Sequence, residues 1–415
     1  MQVTQTNMNN AVARTAGSEA SSATRSVSKE GLRLALIVWF VLRLLLSAWG
    51  MVSMLVANPQ TYANAKAAYP EIRLPEHDLY GLTVGVWNIY DTRHYITIAE
   101  KGYMADTGWL PAYFPGYPLL IKALSPLLLG DSLLAALLIA NVCAFLVFWY
   151  LYRLVEPEYG RDVARRSMIL CAVFPASFFL FVGYSEAPVL AFSLMALYYA
   201  KESKWWMAGI MSGAAAFTKQ PGILLVLPLA YLYWRYYREA TAPRSLSYKL
   251  NWLWLLLAPL ATGAYTLYRY LFIKAPITSA TDAGGAQRFD FPGLPLLRAF
   301  QAANTSNPVL AFNIMEILST ILLIVLVVGV VLRGRSWVFS IYAAVMAIAN
   351  LSISMWVYYQ RPEVNMPRRD LLVFPIFICM ALVTRSERLF KYVVAVSFLM
   401  FLGMSALFVQ WVFVG

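Results

Sequence analysis

Apolar runs long enough, or nearly long enough, to cross a bilayer recur along this 415-residue chain. They lie at 32–56, 132–152, 167–183, 187–200, 205–219, 221–236, 251–273, 309–332, 337–358, 370–384 and 392–413. In hydrocarbon every backbone N–H and C=O must be satisfied within the protein, so such runs fold as helices and not as open sheets. The pattern predicts an all-α polytopic membrane protein with about eleven transmembrane helices. Composition agrees: 60% of residues are hydrophobic and 13% charged, where a soluble chain carries about a quarter charged.

The formal net charge of +12 does not imply nucleic acid, because the basic residues cluster in the short breaks between apolar runs. Arg14, Arg25, Lys29 and Arg33 precede the first run and predict a cytoplasmic N-terminus. Counting runs then puts Arg153, Arg161, Arg165 and Arg166 inside, followed by Lys201 and Lys204, and by Arg235, Arg238, Arg244 and Lys249. Arg333 and Arg335, then Arg385, Arg388 and Lys391, follow on the same side. One register satisfies every cluster. Residues 1–30, rich in Ser, Thr, Ala and Asn, read as a disordered cytoplasmic tail unlike a cleavable signal peptide, and 31–415 as one membrane domain. Cys143, Cys171 and Cys379 lie inside apolar runs and form neither a metal spacing nor a disulfide framework.

The opposite, non-cytoplasmic face receives a large first loop at about 57–131 and the turns at 184–186, 219–220, 274–308 and 359–369. Both histidines fall there, with Arg93, Lys219, Arg361, Arg368 and Arg369, whose position the positive-inside pattern does not explain. Asp91 opens a short amphipathic segment with Ile96, Ala99 and Tyr103 on one face and Gly102 placed to end it. Asp91 reads either as a helix N-cap or as a carboxylate held at the bilayer edge to take a proton, with His94 one turn on to orient it. Glu186, in Tyr184-Ser185-Glu186, occupies a turn so tight that its charge must lie near the membrane surface. Lys219 with Gln220, and the pair Arg368 and Arg369, are groups suited to a phosphate; snorkelling is the plain alternative for Lys219. Walker-type loops, GxGxxG, HExxH and Cys/His clusters are absent. A phosphate ligand is therefore expected to arrive on a lipid.

These residues resemble the GPI mannosyltransferase 2 (PIG-V) family and its bacterial relatives. The resemblance rests on Trp87, Asp91, His94, Tyr95, Ile98, Ala99, Gly102 and Tyr103, followed by Ala112-Tyr113-Phe114-Pro115 and Pro118. Tyr184-Ser185-Glu186 looks like the family's Tyr-Ser/Thr-Glu. Lys219 stands where it has arginine, Arg369 where it has an aromatic, and Trp87 lies three residues further from Asp91 than usual. The resemblance implies a C-type glycosyltransferase (GT-C) bundle with its active site on the non-cytoplasmic face, at the plasma membrane of a prokaryote or the endoplasmic reticulum of a eukaryote. It implies inverting transfer of a hexose, commonly mannose, from a polyprenyl-phosphate sugar to a glycolipid or glycan acceptor.

On that reading Asp91, His94 and Glu186 are catalytic. Arg93, Tyr95, Tyr113, Phe114, Lys219, Gln220, Arg368 and Arg369 bind substrate, with Tyr113 and Phe114 packing on sugar or prenyl chain. No metal and no cofactor is expected, since basic side chains neutralise the leaving phosphate. The rival readings are a lipid or glycolipid transporter (flippase), which predicts charges at mid-membrane depth and internal repeats, and a non-catalytic membrane subunit.

Overall fold

The computed structural model describes residues 2–57, 78–105, 110–239, 249–274, 288–303, 310–354 and 365–412, with Ala63, Lys66 and Val414. Of residues 2–28 only the side chains lie outside this description, whereas Arg244, Arg361 and His77 lie outside it altogether. Almost all of the rest is helix. Strand is confined, among the described residues, to a two-residue antiparallel pairing of β1 (Arg288–Phe289) with β2 (Ile353–Ser354).

The chain opens with α1 (Gln2–Leu55) and enters the first loop, which carries α2 (Asp91–Lys101) and α3 (Gly116–Leu124). The bundle follows: α4 (Ser132–Tyr159), α5 (Arg161–Ala172), α6 (Glu186–Lys201), α7 (Trp205–Thr218), α8 (Val226–Glu239) and α9 (Leu257–Tyr268). It closes with α10 (Leu310–Arg333), α11 (Trp337–Leu351), the single turn α12 (Met366–Asp370), α13 (Pro375–Val383) and α14 (Glu387–Val409). Among the described residues four helical segments are long and apolar enough to cross a membrane: Lys29–Leu55, Ser132–Tyr159, Ile314–Arg333 and Glu387–Val409. The other seven apolar runs form shorter or interrupted helices.

Helix α6 is the centre. It is buried almost all round, between α4 and α7, while α7 also packs on α9, and α5 joins α4 to α13. Small residues line these contacts, Ala187, Ala191 and Ala196 on α6 and Ala208, Ala215 and Ala216 on α7, all buried. Close backbone approach of this kind replaces the water-driven burial that is missing between helices in lipid. The outer helices are apolar on the opposite side. Leu36, Ile37, Phe40 and Leu44 on α1, Leu318, Leu322 and Val325 on α10, and Leu399 on α14 are exposed. In water these would form an untenable apolar patch, and in a bilayer they face acyl chains.

The run at 167–183 does not continue as one helix. α5 stops at Ala172, and a 3-10 turn (Ser177–Leu180) leads through a bend to Glu186. Phe178, Phe179, Leu180, Phe181 and Val182 are fully buried there. Irregular backbone at this depth needs partners from the protein. Asn141 on α4 supplies one, its Nδ2 donating to the Phe181 carbonyl at 3.1 Å.

Candidate functional site

Three separate stretches of chain reach one point beside the start of α6. The first is α2. Its N-cap is Tyr90, with φ 48°, so Asp91 is the first helical residue and makes no capping hydrogen bond. The carboxylate is turned into the protein instead, which removes the capping reading. The helix ends at Gly102, φ 75°, as expected. Its buried side differs from expectation: Thr92, Tyr95, Ile98 and Ala99 face inward, against α3 and α4, and Ile96 is only half-buried. Tertiary contact, not the surface of the bilayer, selects that face.

The second stretch is the bend before α6. At Gly183 a Cβ atom would lie 2.5 Å from Thr92 Cγ2, so only glycine lets the Tyr184-Ser185-Glu186 turn touch α2. The third is the turn after α7. Gly116, at the start of α3, seats the first loop on that helix end, where a Cβ would lie 2.8 Å from the Phe217 carbonyl oxygen. Lys219 follows immediately.

Arg368, on α12, joins the pieces. Its Nη1 donates to Asp91 Oδ2 at 2.7 Å and its Nε to Glu186 Oε1. Lys219 Nζ reaches the same Glu186 oxygen at 2.6 Å and lies 3.4 Å from Ser185 Oγ. Ser185 in turn is 2.6 Å from the Tyr95 hydroxyl. On the other side the Tyr113 hydroxyl donates to Asp91 Oδ1 at 3.0 Å, and the Tyr184 hydroxyl accepts from the Asp91 amide at 3.3 Å. The Arg368 guanidinium carbon is 4.5 Å from the Tyr184 ring centre and 5.2 Å from that of Phe179, so aromatic faces share in holding the cation. The His94 and Tyr113 rings lie 5.1 Å apart.

Burial is graded across this network. The Glu186 side chain is 1% exposed and Arg368 7%, whereas Asp91 is 18% and Lys219 25% exposed. The pair that opens outward is thus a carboxylate and an ammonium, over a buried floor of glutamate and arginine. Burial alone would raise the Asp91 carboxyl, but Arg368, His94 and Lys219 outweigh it and hold it below its ordinary value. Glu186 shows the same balance, burial opposed and exceeded by Arg368 and then Lys219. Both acids are ionised at neutral pH.

Expected residues divide accordingly. Asp91, Tyr95, Tyr113, Glu186, Lys219 and Arg368 form one hydrogen-bonded assembly, with the His94 ring tilted against that of Tyr113 beside it. Tyr113 bonds the carboxylate itself, a more specific contact than the expected packing on sugar or prenyl. Phe114 is buried in a separate aromatic cluster, its ring 4.8 Å from that of Tyr265. Arg369 points to β2, its Nη1 donating to the Ile353 carbonyl at 3.3 Å. Arg93 is half-buried on α2, and Gln220, also half-buried, opens the turn after Lys219.

Sequence reading missed Glu316. This buried carboxylate on α10 accepts from the Asn365 amide at 3.0 Å and the Met366 amide at 2.6 Å, satisfying the first N–H groups of α12. Ser319, one turn along, donates to Asp370 Oδ2 at 2.6 Å. Together they fix the helix that carries Arg368. The signal was available: a glutamate inside an apolar run needs a reason to be there.

Comparison with known proteins bears on the same region. Residues 114–273 match the family model described as dolichyl-phosphate-mannose-protein mannosyltransferase. That stretch contains Glu186, Lys219 and Gln220, and leaves out Asp91 and Arg368. The chain is similar to the GPI alpha-1,6-mannosyltransferase 2 of Mus musculus, 27% identical over 146 residues, covering 32% of this chain and 29% of the relative. The Homo sapiens protein of that name is 27% identical over 147 residues, covering 33% and 29%. The match thus spans less than a third of the length of these curated relatives. It agrees with the resemblance drawn from the first-loop motifs.

Proposed function

We propose that this chain is a membrane glycosyltransferase that moves a hexose, mannose by similarity, from a polyprenyl-phosphate sugar to a glycolipid or glycan acceptor with inversion. The observation that carries this reading is Asp91: an ionised, partly open carboxylate bonded to Tyr113 and Arg368, beside two cations suited to a phosphate. In the reaction the acceptor hydroxyl gives its proton to Asp91 as its oxygen bonds to the anomeric carbon. The bond from that carbon to the phosphate oxygen breaks, and polyprenyl phosphate departs with the electron pair. Lys219 and Arg368 neutralise the phosphate as charge grows on it. Glu186 holds those two cations at the depth where they are needed, and His94, against Tyr113, keeps the base oriented.

The proposed architecture is a GT-C-type bundle of about eleven spans, the shorter helices crossing as interrupted segments packed against neighbours. The N-terminus is placed in the cytoplasm and the Asp91 site on the far face by the distribution of basic clusters. The test is transfer of label from radiolabelled polyprenyl-phosphate mannose to a host lipid extract by the purified protein in detergent. Wild type and Asp91→Asn are run with and without chelator. A labelled product made by wild type alone supports the reading, and equal transfer by the folded variant removes Asp91 as the base. Loss of product on chelation overturns the metal-free mechanism.

A further inference from the structure

Arg368 has two claimants. It is ion-paired to Asp91 through Nη1, and on the reading above it also meets the donor phosphate. A guanidinium offers five N–H groups but one positive charge. While that charge lies on Asp91 at 2.7 Å, the carboxylate is neutralised and accepts a proton poorly. A general base works best when its proton affinity lies near the working pH. The donor-free geometry is therefore at odds with the task assigned to Asp91, and the surroundings of Arg368 show how the conflict resolves.

The far side of Arg368 is secured independently of Asp91. Nε stays on Glu186, and Glu316 and Ser319 hold α12 at its two ends. Glu186 keeps a second cation in Lys219 at 2.6 Å. Its other oxygen, Oε2, is buried with no hydrogen-bond partner among the described residues. A vacant buried acceptor beside a guanidinium is a place for one more N–H, in the side-on bidentate arrangement that arginine and carboxylate favour. Arg368 can thus stay anchored on Glu186 through Nε and Nη2 when its Nη1 leaves Asp91. The groups facing Asp91 are Arg368 and Lys219, Tyr113 and Tyr184, and His94 on its own helix, with Glu186 behind Arg368.

We infer that Arg368 is a shared anchor: the phosphate of an arriving polyprenyl-phosphate sugar competes with Asp91 for it, so that donor binding itself frees the base for the acceptor hydroxyl. The inference rests on the proposed transfer reaction. It makes Arg368 a positioning residue for Asp91 as well as a phosphate ligand, and it orders the reaction, donor before proton removal. Because coupling between two ligands of one group is reciprocal, the charge of Asp91 must weaken phosphate binding, and must do so through Arg368.

The test is a double-mutant cycle on binding, with geranyl phosphate as probe, by calorimetry on the purified full chain in detergent. Wild type, Asp91→Asn, Arg368→Gln and the double variant are compared, with a thermal melt of each. Arg368→Lys stands in where Arg368→Gln does not fold. Asp91→Asn is expected to tighten binding about tenfold, and the gain is expected to shrink to about twofold or less once Arg368 is replaced. A gain as large or larger without Arg368 overturns the inference, since it would mean that Asp91 repels the phosphate directly. Binding by none of the proteins removes the polyprenyl-phosphate donor and the inference with it, whereas binding with an unchanged gain leaves the donor standing. The pH profile is the second readout. The acid limb of kcat should lie about one pH unit above that of kcat/KM for the donor in wild type. The limbs should coincide in Arg368→Lys or Arg368→Gln, and coincident limbs in wild type count against the inference.

Discussion

Helix α6 ends in charge clusters at both extremities, about 24 Å apart for its sixteen residues, and the two are built in opposite ways. At the Lys201 end the partners are Lys201 with Glu158, and Arg166 with Asp162 at 2.8 Å, with Glu387, and with the Thr384 carbonyl at 2.7 Å. Around Arg166 the cation is buried and the acids are in the open: Asp162 is 61% and Glu387 58% exposed, while Lys201 and Glu158 are both half-buried. The Arg166 cluster ties α5 to the α13–α14 junction and leaves both of its carboxylates solvated. At the Glu186 end the most deeply buried charge is a carboxylate, and a second one faces a cation that a ligand can claim. Taking a carboxylate out of water costs several kcal/mol even after relaxation. One end is closed by exposed acids; the other buries a carboxylate and, on the proposed reading, offers a cation to a ligand.

Substitutions can break or sharpen that contrast. The largest effect is expected for Asp91→Asn, which should lower transfer by about a thousandfold, within the range for a lost general base, with unchanged expression and only a modest drop in melting temperature. Retained activity would reduce the Asp91 end to a second structural ion-pair cluster. Glu186→Gln should come next. It leaves Arg368 and Lys219 facing a neutral partner, so a stability loss of about 3 kcal/mol is expected, read as a lowered denaturation midpoint in detergent. Gly183→Ala forces a Cβ onto Thr92 and should cost about 1–3 kcal/mol, together with the seating of α2, seen as faster proteolysis of the first loop. Asp162→Asn, the matching change at the Lys201 end, should cost under about 1 kcal/mol and leave transfer untouched.

The smallest effect is that of pH. Asp91 and Glu186 have folded values below their ordinary ones. Their contribution is therefore fully present above the unfolded carboxyl range, about 4, and is lost only as pH falls through the lower folded values. A melting-temperature profile should be flat in these two groups from neutral pH to about 5 and fall below that. A fall beginning near neutrality would show that the network is not ionised as described.

Much of the site was legible because membrane sequences penalise misplaced charge. Lys219 and Arg368 stand out against the positive-inside pattern, Glu186 as a charge in a tight turn at the membrane surface, and Asp91 at the start of a short amphipathic segment, and the fold brings all four within one chain of contacts. What failed was anything set by three-dimensional phase. Arg368 and Arg369 are neighbours in sequence, yet the single turn of α12 sends one to Asp91 and the other to Ile353. Of the face expected for α2, Ala99 and Tyr103 are buried, but its phase is shifted, so that Thr92 and Tyr95 turn inward against α3 and α4 and Ile96 is left half-buried. Glu316 was absorbed into an apolar run, because its purpose, two amides of residues 365 and 366, lies fifty residues away. The interruption after Ala172 was equally hidden, since a fully buried segment is apolar throughout, whether helical or not.

The contact between Gly183 and Thr92 is a seam between the bundle and the first loop. On one side stand the bundle turns that carry Glu186, Lys219 and Arg368, the groups assigned to the lipid phosphate. On the other stands the first loop, which brings the base and, on the proposed reading, the acceptor. The two meet closely at Gly183 and again where Gly116 lies on the end of α7, with the Arg368–Asp91 ion pair beside the first contact. On the proposed reading, a change confined to the loop alters the acceptor side of the site while the groups that face the donor phosphate keep their places.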